Sequence, residues 1–259
     1  MKSSSFLLFV SLAAIAILVL SAFSLRSPAS QSPAKRRAVV VELFTSEGCS
    51  SCPPADDLLG RLRVPPAAGE AEIIPLGFHV DYWNDLGWRD RFSSASFTNR
   101  QAAYTEKLGG NGPYTPQMIV DGTEEFVGSN ARRAHEAIVK AAAQPERVEI
   151  QLASAEPGKI TVRVKSTGQA VTGHVLLAIT EDNLSTSVGA GENGGHVLHH
   201  AAVVREFRPL GQLKDGSFET MATVAPAGDW KLKDLRAVVF VQSPAQGGIE
   251  GAATVTLGK

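Results

Sequence analysis

Cysteine is nearly absent from this 259-residue chain, which has only Cys49 and Cys52. Two cysteines cannot make a disulfide-framework scaffold, and without a second pair there is no four-cysteine zinc ribbon. Charge is also scarce: 20% of residues carry it and the formal net charge is −1, so no surface field gathers nucleic acid by counterion release. No nucleic-acid partner is expected. What the chain does have is 44% hydrophobic residues with 24 Gly and 14 Pro, a composition that buries a core and turns often. Collagen, coiled coil and disordered chain are excluded, and the length allows one or two domains.

Residues 1–24 read as a signal peptide or a membrane anchor. Lys2 and three serines precede an uncharged run from Phe6 to Phe23, and Ala22-Phe23-Ser24 offers small residues for cleavage. As a helix the run is roughly 27 Å long, close to the hydrocarbon thickness, so an uncleaved helix in the inner membrane competes with cleavage. Arg26, Lys35, Arg36 and Arg37 after the run oppose that orientation for an exported protein. Export to the periplasm or beyond is nevertheless the expectation. Residues 25–37, rich in Ser, Pro and basic residues, read as a linker.

Two regimes of periodicity follow, with a boundary near residue 145. Ala38 to Phe44 is a β-branched run for a strand buried on both faces, and Ala55 to Arg63 is helical after two prolines tolerable only in a first turn. A second strand over 72–80 and a helix within 93–108 come next. The turn Asp121-Gly122 then joins strands 117–120 and 124–127, and Ser129 caps a helix to about Ala143. This is an α/β plan over 38–145. Over 146–259 apolar residues alternate in seven or so runs, which suggests an all-β sandwich.

Cys49-Ser50-Ser51-Cys52 sits between the first strand and a helix start. Unpaired amides and about half a positive charge at a helix N-terminus stabilise a thiolate, so Cys49, expected at the exposed edge, is the candidate nucleophile and Cys52 the resolving thiol. A structural bridge is the bland alternative. It is weakened because so short a ring restrains the unfolded chain by only about 2 kcal/mol. Two thiolates could also hold Cu(I) in a non-catalytic, partner-binding module. No metal or other cofactor is assigned. His196 and His200 on one regular strand would stand ~13 Å apart with His199 opposite, which is no chelate. Glu42 is the one ionisable residue inside the first strand. Tyr82 and Trp83 follow the second strand at its carboxyl end, where α/β sheets place ligands, and either line a substrate groove or pack in the core.

The strings VVVELFTSEGCSSCPPAD, FHVDYWNDLGW, YTPQMIVDG, EFVGSN and GENGGHVLHHAAVVREFRPL resemble the DUF1223 group of exported bacterial proteins. That resemblance implies a thioredoxin-like first domain. It further implies that Thr115-Pro116 is the loop whose cis proline faces the cysteine pair, with Thr115 pairing to an extended substrate. By likeness to the buried acid of thioredoxins, Glu42 would take a proton from Cys52. The pair lacks the Gly-Pro dipeptide and the preceding Trp of thioredoxin, so redox direction does not transfer. The resemblance supplies a fold and a site more than an activity; the cysteine pair at a helix start points to thiol–disulfide exchange with protein thiols or a redox partner protein.

Overall fold

The computed structural model of the chain describes residues 37–62, 71–156 and 158–258. The expected signal or anchor over 1–24 and nearly all of the linker lie outside the described residues. Among the described residues no helix is long and apolar enough to cross a membrane.

The first half forms as its periodicity predicts. The strand β1 (Ala38–Thr45) leads through the cysteine loop into helix α1 (Pro53–Leu62), and β2 (Glu72–His79) pairs parallel to β1 in full register from Ala38↔Glu72 to Thr45↔His79. Helix α2 (Ala95–Leu108) starts at Ser94, whose side chain accepts the Ser96 amide, and ends on Gly109 in the left-handed region. The hairpin β3 (Gln117–Val120) and β4 (Glu124–Val127) extends the sheet antiparallel beyond β1. Helix α3 (Ala131–Ala142) is capped by Asn130, which accepts the Arg133 amide, not by the expected Ser129.

Among the described residues of the second half the regular elements are all strands apart from one short 3₁₀ turn. It contains β5 (Val148–Glu156), β6 (Lys159–Ser166), β7 (Gly173–Glu181), β8 (Leu184–Ser187), β9 (Val197–His200), β10 (Val203–Leu213), β11 (Ser217–Thr223), β12 (Leu235–Gln242) and β13 (Ile249–Thr256). The run from Val197 to Phe207, expected as one strand, breaks at Ala201-Ala202, where Ala202 has φ 52°. Strands β8 and β9 form a separate hairpin, and β11, β6 and β5 a three-stranded sheet.

The large sheet crosses residue 145. Its order is β13-β12-β7-β10-β2-β1-β3-β4, so four strands of the second half continue the sheet of the first, joined where β10 meets β2 at Val203↔Gly77. Alternation along β1 sends Val39, Val41 and Leu43 to a core shared with α1 and α3, and Val40, Glu42 and Phe44 to the opposite face under α2. The three-stranded sheet packs on Val175, Leu177 and Ile179 of β7 and on Val239 and Val241 of β12. The molecule is a sheet-dominated α/β fold built on one large mixed sheet.

Candidate functional site

Strand β1 ends at Thr45, and the chain must then turn into α1. The turn is Ser46 to Cys52, held by Cys49 N–H donating to Ser46 O and Cys52 N–H to Cys49 O. Cys52 ends the turn by accepting the Ala55 and Asp56 amides, so the two prolines fill helix positions that need no donor. Cys49 and Cys52 are joined in a disulfide, with Cα atoms 5.4 Å apart.

Both cysteines are 0% exposed, whereas Ser50 and Ser51 between them are open to solvent. The expected exposed Cys49 is therefore corrected: the residue is fully buried, and two distant segments pack on its turn. On one side Trp83 closes over Gly48, where even a Cβ would come within 3.0 Å of the Trp83 Cβ. On the other side the tip of the β8–β9 hairpin lies on the loop. There the buried Asn193 Nδ2 donates to Glu47 O at 2.9 Å and Cys49 O at 3.0 Å, and Glu192 accepts the Ser50 amide at 3.1 Å.

Trp83 also links the cysteine turn to the predicted proline loop. Its Nε1 donates to Thr115 Oγ1 at 2.9 Å, and Thr115-Pro116 is a cis peptide. Pro116 is buried and its carbonyl accepts the Gly128 amide, which ties the loop to the end of β4. Tyr82 is exposed and donates to Gln101, which in turn donates to Tyr114 O. Trp83 thus stands between Gly48 of the cysteine turn and Thr115 of the proline loop.

Five buried ionisable side chains gather beside the turn: Glu47, Asp56, His79, Asp90 and His200. Asp90 Oδ2 accepts from His79 Nδ1 at 2.6 Å and from the Glu47 amide at 2.9 Å. Trp88 Nε1 donates to Glu47 Oε2, and His200 Nε2 stands 3.2 Å from Glu47 Oε1 at ion-pair distance but off the hydrogen-bond direction. Burial pushes Asp56 up to about 6 against the pull of His79 and His200. For His79, burial favours the neutral ring, but the Asp90 carboxylate overrides it and holds the pKa above the ordinary value. Glu47 and Asp90 resist burial in the same way: His200 keeps Glu47 below the usual range, and His79 does so for Asp90.

The family model described as a protein of unknown function, DUF1223, matches residues 40–242. The chain belongs to the DUF1223 family. Among solved structures, an Agrobacterium tumefaciens protein from a structural-genomics consortium shares 27% identity at a TM-score of 0.69, covering 85% of this chain and 95% of its own. HBP35 of Porphyromonas gingivalis shares the fold at 18% identity and a TM-score of 0.59, covering 86% of this chain and 76% of that one. No curated protein matches.

In this DUF1223 chain Glu42 is not brought to the cysteines. It faces the side of β1 away from α1, where Arg100 Nε and Nη2 and the Tyr104 hydroxyl bind its two oxygens at 2.5–2.9 Å. Among the three histidines, His199 is exposed, His196 lies before β9 and bonds Asn193 O, and His200 alone enters the buried cluster. Sequence reading missed Asp56, Glu47, Asp90 and Asn193. A signal for the first was present, since an aspartate in the first turn after Cys52 shares that residue's helix face.

Proposed function

We propose that this DUF1223 chain is an exported thiol–disulfide oxidoreductase, with residues 38–145 thioredoxin-like and the second half sandwich-like. Its partners are protein thiols or a redox protein, outside the cytoplasm or at the inner membrane. The observation that carries the proposal is the Cys49–Cys52 disulfide at the start of α1, with Asp56 buried one helical turn behind it. In the reduced protein the helix mouth favours a Cys49 thiolate, which attacks a substrate disulfide and releases one substrate thiolate. Cys52 then attacks the Cys49 sulfur, the protein disulfide reforms, and the second substrate thiolate leaves. The substrate gains two electrons and the protein loses two. Asp56 is suited to accept the Cys52 proton because burial puts its pKa near 6. The same steps reversed oxidise a dithiol. The Trp83–Thr115 contact supports Thr115 and Pro116 as the surface on which an extended substrate lies.

One observation favours a second reading, a stabilising bridge without turnover: neither cysteine is exposed. A Cys52→Ala variant separates the two. Capture of a mixed disulfide between Cys49 and a model protein disulfide supports exchange. Failure to capture any partner, while a small alkylating reagent still modifies Cys49, leaves the bridge.

A further inference from the structure

The turn that carries the buried disulfide is bonded by a segment that is distant in sequence and belongs to neither β1 nor α1. The nine residues from Val188 to His196 form the tip of the β8–β9 hairpin, closed on itself by Val188 N–H donating to His196 O and Gly195 N–H to Val188 O. Gly191 at this tip has φ +73° and sits so near Trp88 that a Cβ would lie 3.1 Å from the Trp88 Cβ. Two of its side chains hydrogen-bond to the cysteine turn. Asn193, 6% exposed, spends its amide donor on the carbonyls of Glu47 and Cys49, and the exposed Glu192 places its carboxylate on the Ser50 amide.

We infer that the β8–β9 hairpin tip is the specificity element of the disulfide, with Asn193 the latch that admits a thiol to Cys49 and Glu192 the charge that selects against anionic thiols. The inference rests on the oxidoreductase reading only for its physiological use. Attack on Cys49 requires the tip to lift, which breaks two buried hydrogen bonds from one residue. The Glu192 carboxylate sits on the Ser50 amide, one residue from Cys49, so a negatively charged reagent approaching that cysteine meets repulsion and a neutral or cationic one does not. The favoured partner is a thiol in neutral or basic surroundings.

The test is reduction of the chain's own disulfide, read by thiol appearance, with cysteamine, 2-mercaptoethanol and glutathione as cationic, neutral and anionic thiols. Each first forms a mixed disulfide with Cys49 and expels the Cys52 thiolate. A second thiol molecule then releases Cys49, so two thiols become one disulfide and the protein gains two electrons. Asn193→Ala should speed all three reactions about tenfold or more, by the loss of two net hydrogen bonds. Glu192→Gln should speed glutathione about two- to threefold relative to cysteamine, an advantage that fades in high salt. Unchanged rates in Asn193→Ala overturn the latch, and an unchanged glutathione-to-cysteamine ratio in Glu192→Gln overturns the charge selection. Should Asn193→Ala fail to fold, the unaltered protein decides: a rate that levels off with rising 2-mercaptoethanol marks a lid-opening step, and strict proportionality overturns it. None of these readouts needs a client, so failure to trap one with Cys52→Ala rejects the oxidoreductase and leaves this inference standing.

Discussion

Asp56 is the side chain at the site whose burial opposes stability. Its pKa stands near 6 in the fold against an ordinary 3.8, so its contribution is fully present below pH 3.8 and is lost as the pH rises through 6. Two units correspond to on the order of 3 kcal/mol. Asp56→Asn should therefore gain on the parent protein in melting temperature steadily from pH 4 to 6 and keep that gain at pH 7.5. A difference independent of pH would show that the carboxylate is not held up by burial. His79, also raised, loses its contribution as the pH climbs through its folded value, while Asp90 and Glu47, both lowered, lose theirs on acidification. The melting temperature should peak in mild acid. Glu42 has a different environment, its two oxygens bound by Arg100 and the Tyr104 hydroxyl. Glu42→Gln leaves the Arg100 guanidinium buried without its counter-charge, and denaturant titration should show a loss of about 3–5 kcal/mol. The thiol-exchange rate of the folded variant should be unchanged, which a proton-transfer role for Glu42 would not allow.

At the scale of elements, caps and breaks mark where one-dimensional pattern stops being informative. Ser129 and Asn130 are both good N-cap residues, and composition cannot choose between them; the Asn130 side chain wins because it accepts the Arg133 amide three residues on. Asn130→Ala should cost about 1 kcal/mol in urea denaturation and Ser129→Ala close to nothing. Strands β1 to β4 and the three helices were legible because apolar spacing there follows periods of 2 or 3.6 and the turn Asp121-Gly122 is explicit. The cysteine turn belongs to the same legible half, whereas the Trp83 bond to Thr115, 32 residues away, has no local signal. The β9–β10 break was not legible, because Ala201-Ala202 carries no turn signal; Ala202 takes φ 52° with its amide donating to the Asp182 carboxylate, a partner twenty residues away. That break decides the fate of the histidines. It lets β9 end in its hairpin with His200 turned toward Glu47, while β10 departs to join β2. Asn193 was hidden for the same reason, since nothing local to a glycine-rich tip says which distant loop it will cover.

Over the whole molecule, the question is whether the change of periodicity near residue 145 divides the protein into independently stable parts. The large sheet and its core argue for one cooperative unit. Between β2 and β10 the pairing is short, yet one apolar cluster holds Phe44, Phe78 and Tyr104 from the first half with Phe207 and Phe240 from the second. Arg100 is the centre of that seam. Its guanidinium lies 4.7 Å from the Phe207 ring centroid and 5.7 Å from that of Phe240, and it donates to Gln242 as well as to Glu42. Separating the halves would expose this charge together with the aromatic faces, and would lift the hairpin tip from the disulfide. Trp83 and Trp88 report on the first half and Trp230 on the second, so variants retaining tryptophan in only one half can be followed separately by fluorescence in urea. The two transitions should coincide at one midpoint, and a fragment of residues 38–145 should show no cooperative transition of its own. Two separated midpoints, or a fragment that melts sharply, would mean instead that the seam is a contact between finished domains, and that the hairpin over Cys49 can leave without unfolding either of them.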